Sequence, residues 1–166
     1  ANDEQKIYLL NQFLEAVRTT VYRQVQFAEF EKFIHGEITA GRTLQAEKLE
    51  NYWLDSNKRY YGEALTVDKE LASEWSRIPH FYTPFYVYKY ATCISAASAI
   101  VKRIENEGES YVGQYIDFLK CGNSKSPLDS LLVAGIDMTK PEVITSAIDD
   151  FQDCVNQFRE IYERNK

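Results

Sequence analysis

The sequence predicts an all-α fold, a multi-helix irregular bundle with essentially no sheet. Three observations support this prediction. Apolar residues recur at spacings of three, four or seven, which is the pattern of one helix face. No segment alternates apolar and polar residues at a period of two, as a half-buried strand would. Glycines and prolines fall between the periodic segments, where helices begin or end.

Three helices are predicted in the first half of the chain. The first is long, covers residues 7–35 and ends at Gly36. Thr43 has the side chain of an N-cap for the second helix, which ends near Gly62. A short third helix is expected over residues 66–75.

Four more helices are predicted in the second half, each opened by a proline or closed by a glycine: residues 85–107, 111–119, 127–134 and 141–158. The Ile78-Pro79 step separates them from the third helix, because the proline ring clashes with a helical residue before it. Thr83-Pro84 is then a start signal, a capping residue followed by a proline at the first helical position.

Length and composition limit the class of protein. A chain of 166 residues, 45% hydrophobic and 27% charged, has the size and balance of a single globular domain, predicted here to cover residues 1–166. The net charge of −6 argues against a nucleic-acid partner, which would need a basic surface. No apolar run reaches membrane-spanning length, so no membrane partner is expected.

The cysteines and the first residues suggest where the chain belongs. Cys93, Cys121 and Cys154 are an odd number without CxxC spacing, which favours a reducing cytoplasm over a disulfide framework. No signal peptide is visible at Ala1. A helical pattern begins almost at once, as in a chain cut from a larger protein.

The chain lacks the sequence pattern of a zinc site. A zinc-protease helix places two histidines at i and i+4, with a glutamate between them, so that both imidazoles face one metal. Here the two histidines, His35 and His80, lie in different segments. His35 ends a helix, where an imidazole complements the helix dipole, so it is interpreted as structural. We expect this chain to bind no metal.

The densest group of chemically useful side chains is the segment RIPHFYTPFYVYKY at residues 77–90. One interpretation is an aromatic core strip around a helix start. The other is the wall of a site, in which His80 precedes a helix N-terminus and several tyrosine hydroxyls follow it. Phenols beside an imidazole are suited to donate hydrogen bonds to a peptide carbonyl.

The spacing limits which tyrosines of this segment act together. Tyr86 and Tyr90, at i and i+4, share one helix face, whereas Tyr88 points elsewhere. Not all of them can therefore line one cleft.

At this point a resemblance becomes specific. The strings RQVQFAEFEKFIH at residues 23–35 and EWSRIPHFYTPFYVYKYATCISAA at residues 74–97 resemble the C-terminal signatures of oligoendopeptidase F. YYGEAL from Tyr60 and FLKCGNSKSPLDSLLVAGIDM from Phe118 are similar to the same family, and all the blocks occur in its order. The resemblance covers nearly the whole chain.

The resemblance implies a zinc endopeptidase that cleaves short peptides in a channel between helical halves. In that family the zinc ligands, two histidines of HExxH and a glutamate, lie upstream of the matched region. The chain would then be the C-terminal fragment of a peptidase catalytic domain, with zinc in the full-length parent and none on this chain. Its partners would be short peptide substrates and the upstream zinc-binding half, and alone it would be inactive.

The resemblance also implies roles for individual residues. The family is similar to the thimet oligopeptidase group, in which a histidine and tyrosines downstream of the zinc helix bind substrate and stabilise the oxyanion. The matching substrate-binding positions are His80, Tyr82 and Tyr86. His80 and Tyr88 are the catalytic candidates, with Tyr88 as oxyanion donor. Cys93 stands where a glycine is expected, so a larger side chain lies within or next to the site helix.

Some charged residues near these motifs have simpler interpretations. Glu29 and Glu31 are expected to be solvated or paired charges on the long helix. For Arg77 two possibilities stay open, orientation of His80 or an ion pair with Glu74.

Three hypotheses of function follow. The chain is a piece of a zinc oligopeptidase, or a stand-alone helical interaction module derived from one, or a different enzyme that uses His80 with a tyrosine or cysteine nucleophile. An HExxH motif upstream in the same reading frame would separate the first from the second. Activity that survives chelation would indicate the third. In the first case, apolar surface that faces the missing half should be exposed, so self-association as a homodimer is expected.

Overall fold

The computed structural model describes residues 2–63 and 65–166, and within these residues it contains helices and no strand. Seven segments of the described residues are α-helical: α1 Asp3–Val17, α2 Arg23–Thr39, α3 Ala46–Tyr61, α4 Tyr88–Glu107, α5 Glu109–Lys120, α6 Pro127–Val133 and α7 Glu142–Arg164. The all-α prediction is therefore confirmed. No helix in the described part of the chain combines the length and apolar character that a membrane crossing requires.

The predicted first helix is wrong in two details. A π-helical segment, Arg18–Tyr22, separates α1 from α2. In addition, Gly36 does not end the helix, because α2 continues to Thr39. A glycine inside a helix costs only about 1 kcal/mol relative to alanine, which surrounding packing can offset.

Two further boundaries differ from the prediction. The second predicted helix begins at Ala46 with Gln45 as N-cap, so Thr43 is not its cap. The third predicted helix is a 3-10 helix that spans Lys69–Arg77. The Ser126-Pro127 start is confirmed, because the Ser126 hydroxyl accepts a hydrogen bond from the Asp129 amide at the start of α6.

The chain forms two compact units, one of residues Thr19–Ala91 and one that joins the segment up to Arg18 with Thr92–Lys166. The single domain predicted from the sequence stays a prediction.

The unit of Thr19–Ala91 is built on aromatic packing between α2 and α3. Its buried apolar residues are Phe27, Phe30, Leu49, Trp53, Ile78 and Val87. The Phe30 ring meets the Trp53 ring edge-on at 5.0 Å between centroids, a favourable aromatic geometry. Arg23 lies over the Phe27 ring at 4.6 Å and binds Glu74 at 2.6 Å, which ties the Lys69–Arg77 helix to α2.

The other unit has its own core, which α4, α5 and the end of α6 form. The buried apolar residues are Ala96, Ile100, Tyr111, Ala134 and Ile136. The Tyr111 hydroxyl donates to the Ala134 carbonyl oxygen at 2.7 Å, so the buried phenol is satisfied. Arg103 Nη1 donates to the same carbonyl at 3.1 Å. In this unit α1 packs along α7, and Arg164 binds Asp3 at 2.8 Å.

Candidate functional site

The backbone of the predicted site segment is less regular than the sequence suggests. His80 lies on a short 3-10 helix, Pro79–Tyr82, and residues 83–87 form a loop before α4 begins at Tyr88. The Thr83-Pro84 start signal is therefore wrong. Phe85, two residues after Thr83, has a φ of 60°, which lies outside the right-handed helical region, so no helix begins there. As a result, Tyr82 and Tyr86 lie outside α4.

His80, Tyr86 and Tyr90 form an aromatic cluster, called the His80 cluster below. The His80 ring stacks on Tyr86 at 5.9 Å between centroids and meets Tyr90 edge-on at 6.0 Å. The Tyr86 and Tyr90 rings are 5.5 Å apart. Together with Pro79 and Thr83, the three rings line an open depression of about 320 Å³. The structure thus brings two of the predicted site residues, His80 and Tyr86, into contact.

Tyr90 belongs to this cluster, although the sequence-based choice of site residues omits it. Its hydrogen bond with Tyr86 raises the pKa of the Tyr90 phenol, because that bond favours the neutral form. The signal that pointed to Tyr90 was its i+4 spacing from Tyr86. The two rings do meet, even though Tyr86 is not helical.

Neither Tyr82 nor Tyr88 belongs to the His80 cluster. The Tyr82 ring is 74% exposed, and its hydroxyl donates to the Ser76 carbonyl oxygen at 2.9 Å. Tyr88 is the first residue of α4, and its side chain is 50% exposed. Of the four predicted site residues, His80 and Tyr86 are therefore in contact with each other, and Tyr82 and Tyr88 lie outside the His80 cluster.

Some side chains of the segment at residues 77–90 lie in the core and others are exposed, while the interpretation as a site wall stays a prediction. Ile78 and Val87 are buried in the core, and Phe81 packs against it. By contrast, Tyr82, Tyr86 and Tyr88 are exposed, so they are not core residues. Apolar side chains of the segment anchor it to α2 and α3, and its phenols face solvent.

A buried carboxylate on α2 accepts a hydrogen bond from the backbone of this loop. Glu31 on α2 is 3% exposed, and its Oε1 accepts a hydrogen bond from the Phe85 amide at 2.5 Å. The expectation that Glu31 is a solvated or charge-paired residue is therefore wrong. Glu29 does follow that expectation, because it pairs with Arg59 at 2.5 Å. His35, one turn after Glu31, packs its ring on the Phe85 ring at 4.7 Å.

Two other predictions near the site have clear outcomes. Of the two possibilities for Arg77, the ion pair with Glu74 is present, at 2.8 Å. Cys93, the position where a glycine was expected, lies on α4 with an exposed side chain.

The described residues contain no group of three His, Cys, Asp or Glu side chains that could hold a metal ion. They do not fit a zinc site, so no chemical step through a metal is derived from this chain. What the described site offers is an exposed set of phenols and one imidazole, which can donate and accept hydrogen bonds.

Comparison with known proteins identifies the class. The sequence model of peptidase family M3 matches residues 1–150. The chain therefore belongs to peptidase family M3, a family of metallopeptidases.

Individual relatives are similar over the whole chain. Oligopeptidase PepF of Bacillus subtilis is 47% identical over 165 residues, which are 99% of this chain and 25% of the relative. The chromosomal oligoendopeptidase F of Lactococcus lactis is 39% identical over 99% of this chain and 27% of its own length. The crystal structure of oligoendopeptidase-F from Enterococcus faecium superposes with a TM-score of 0.95 at 41% identity and covers 99% of this chain and 32% of that one.

The chain thus spans only about a quarter of the length of these curated relatives. It corresponds to one segment of an oligoendopeptidase F-like M3 peptidase, and the predicted family resemblance is confirmed.

Proposed function

We propose that this chain is the C-terminal, substrate-facing part of a zinc-dependent oligopeptidase that hydrolyses short peptides, and that it is inactive without the zinc-binding half. The observation that carries the proposal is the contact of His80 with Tyr86, in the same segment as the exposed phenols of Tyr82 and Tyr88, within a chain that matches a peptidase family along nearly its whole length.

The proposed binding residues are His80, Tyr82 and Tyr86. An extended peptide presents carbonyl oxygens and amide hydrogens, and imidazole and phenol groups can pair with both. The depression beside His80 is lined by rings, which suits an apolar or aromatic side chain of the peptide. Tyr82 would bind outside this depression, since its ring is not among those that line it.

The proposed catalytic residues are Tyr88 and His80. During hydrolysis the carbonyl oxygen of the cleaved peptide bond becomes negatively charged, and a positioned donor stabilises that charge. The proposal of Tyr88 as this donor is supported by its half-exposed phenol at the first turn of α4, where helix amides add positive potential. His80 would orient the peptide and contribute to the same charge stabilisation.

The zinc ion would come from outside this chain. Zinc polarises the carbonyl and activates water in peptidases of this kind. The partner that supplies it would be the upstream zinc-binding half. Cys93, Cys121 and Cys154 are all free thiols, which supports a cytoplasmic location.

The proposal is tested by measuring the activity of a chimeric enzyme. This chain replaces the matching C-terminal segment of Bacillus subtilis PepF, and hydrolysis of a fluorogenic peptide is measured for the chimera, for PepF without that segment and for this chain alone. We expect activity from the chimera and none from the two parts. A folded chimera without activity, or a chain that hydrolyses peptide alone in the presence of a chelator, would contradict the proposal.

A further inference from the structure

The backbone conformation at Phe85 requires a cause. Within residues 2–63 and 65–166, Phe85 is the non-glycine residue with a positive φ, at 60°. That region is disfavoured for residues with a Cβ, and for a bulky residue it persists only when the surroundings enforce it. Burial of the ring is not that cause, because the Phe85 side chain is 56% exposed.

The contacts of Phe85 with α2 supply the cause. The Glu31 carboxylate accepts the Phe85 amide, and the His35 ring packs on the Phe85 ring. Glu31 and His35 are four residues apart on α2 and therefore lie on one helix face. Both the backbone and the ring of Phe85 are thus held from the same helix.

The buried carboxylate and the strained residue stabilise each other. A carboxylate that is 3% exposed is costly unless it accepts hydrogen bonds. The Phe85 amide reaches it at 2.5 Å, and a hydrogen bond to an ionised acceptor is stronger than a neutral one.

The conformation of Phe85 affects the positions of the two tyrosines that follow it, Tyr86 and Tyr88. Tyr86 comes directly after Phe85, and Val87, which is almost completely buried, anchors the loop at its other end. Between these two fixed points the Tyr86 ring has its stacking position on His80, and Tyr88 begins α4. A change at Phe85 would therefore move the candidate site without any change in its own side chains.

We propose that Glu31 is a positioning residue of the site: it holds Phe85 in the left-handed conformation and thereby places Tyr86 against His80 and Tyr88 at the start of α4. This inference rests on the proposed function for its catalytic meaning, but its structural part can be tested on the chain by itself.

The structural test uses three variants of this chain and NMR. Glu31→Leu removes the acceptor, Glu31→Gln keeps an uncharged acceptor oxygen, and Phe85→Gly removes the strain, since glycine adopts positive φ readily. In Glu31→Leu we expect the Phe85 amide to exchange at least about tenfold faster, as loss of a hydrogen bond to a charged group predicts, with amides in the middle of α3 unchanged. The nuclear Overhauser contacts between the Tyr86 and His80 rings should weaken as well.

A second substitution in the Glu31→Leu variant distinguishes a positioning role of Glu31 from a general contribution to stability. Phe85→Gly in the Glu31→Leu background should restore the contacts between Tyr86 and His80, because the loop no longer needs to be held. If Glu31→Leu does not fold, Glu31→Gln serves for the same comparison, with a smaller, severalfold acceleration of exchange. Unchanged exchange and unchanged ring contacts in the folded variant would overturn the proposal, and so would a glycine rescue that fails.

The catalytic part is tested in the PepF chimera. Glu31→Leu should lower kcat about tenfold or more, and Phe85→Gly should recover most of that loss. If the unaltered chimera is inactive, the proposed function fails while the ring contacts still decide the positioning role. If the unaltered chimera is active and Glu31→Leu leaves kcat and KM unchanged, the positioning proposal alone is overturned.

Discussion

The rings of His80 and Tyr86 lie 5.9 Å apart with an interplanar angle of 22°, although the two residues belong to different backbone elements. His80 is on a 3-10 helix and Tyr86 in the loop that follows it. Phe85, the residue directly before Tyr86, has a positive φ of 60°. The candidate site therefore includes residues of a loop as well as residues of helices.

The first prediction concerns Tyr88 as oxyanion donor. Tyr88→Phe keeps the ring and removes one hydroxyl, so the fold should hold. In the active PepF chimera we expect kcat to fall about a hundred- to a thousandfold, equivalent to about 2.7–4 kcal/mol, with a much smaller change in KM. Steady-state peptide hydrolysis measures both constants.

A matched control for Tyr88→Phe is Tyr8→Phe on α1, which removes an exposed hydroxyl outside the His80 cluster. That variant should keep the activity of the unaltered chimera. Turnover of Tyr88→Phe within a few-fold of the same value would remove Tyr88 from the catalytic residues.

The second prediction concerns the hydrogen bond between Tyr86 and Tyr90. This bond raises the pKa of the Tyr90 phenol, so Tyr86→Phe should lower that pKa toward the ordinary value of about 10. Carbon-13 labelling of the tyrosine ring, followed by NMR through a pH titration, resolves Tyr90 from the other tyrosines. A Tyr90 pKa that does not change in Tyr86→Phe would show that the two phenols are not coupled in solution.

The third prediction concerns stability in acid. The Glu37 carboxylate binds the Arg42 guanidinium at 2.6 Å and also the Lys48 ammonium, and these partners lower the pKa of Glu37 to about 2. Because this folded-state pKa is below the unfolded value of about 4.5, the stabilisation is complete above about pH 4.5 and is lost as the pH falls toward 2. Glu37→Gln should lack this component.

Urea unfolding at a series of pH values measures this effect. The difference in unfolding free energy between the wild type and Glu37→Gln should shrink as the pH falls from about 4.5 to about 2. A difference that stays constant over this range would mean that Glu37 is not paired in the folded protein.

The fourth prediction concerns Gly135, which closes α6. Its φ is 71°, and a Cβ built there would lie 1.9 Å from Nη1 of Arg103. Arg103 cannot move freely, since it lies over the Tyr111 ring at 4.3 Å and binds the Ala134 carbonyl. Gly135→Ala should therefore lower the unfolding free energy by at least about 1–2 kcal/mol, the cost of the left-handed conformation alone.

Gly113→Ala is the control for Gly135→Ala and should have the opposite effect on the unfolding free energy. Gly113 lies inside α5, and a Cβ there meets no atom within 4 Å. Alanine should raise the unfolding free energy by up to about 1 kcal/mol, because it is the better helix former. Equal effects of the two substitutions in chemical denaturation would show that the backbone argument for Gly135 is incorrect.

The fifth prediction concerns self-association. Several apolar side chains are exposed along α5 and α6: Val112, Ile116, Leu119, Leu128 and Leu132. Exposed apolar surface of this kind favours association, most simply as a symmetric dimer. We expect a dimer by light scattering at tens of micromolar, and Leu128→Lys with Leu132→Lys should shift it toward monomer. A wild-type chain that is monodisperse and monomeric at that concentration would contradict the prediction.

The sequence predicts most of the helices because their signals are local. The spacing of apolar residues marks α1, α2 and α7, and Ser126-Pro127 marks the start of α6. Local signals also explain the errors. Thr43 and Thr83 both have capping side chains, but the free energy of a cap, about 1 kcal/mol, is too small to decide a boundary against core packing.

For the candidate site, too, one part could be predicted from the sequence and another part depends on packing. The sequence alone determined the family resemblance and singled out His80, Tyr82, Tyr86 and Tyr88, because a motif is a property of residue order. It also marked the i+4 relation that unites Tyr86 with Tyr90.

Only the tertiary structure decided which of these side chains meet. Glu31 and Phe85 are 54 positions apart in the chain, and no local pattern distinguishes a solvated glutamate on α2 from one that binds a loop amide. The left-handed turn at Phe85 is likewise invisible in the sequence, since phenylalanine does not favour it. Such a conformation exists because contacts between distant segments outweigh local preference, and that balance is settled only when the segments pack together.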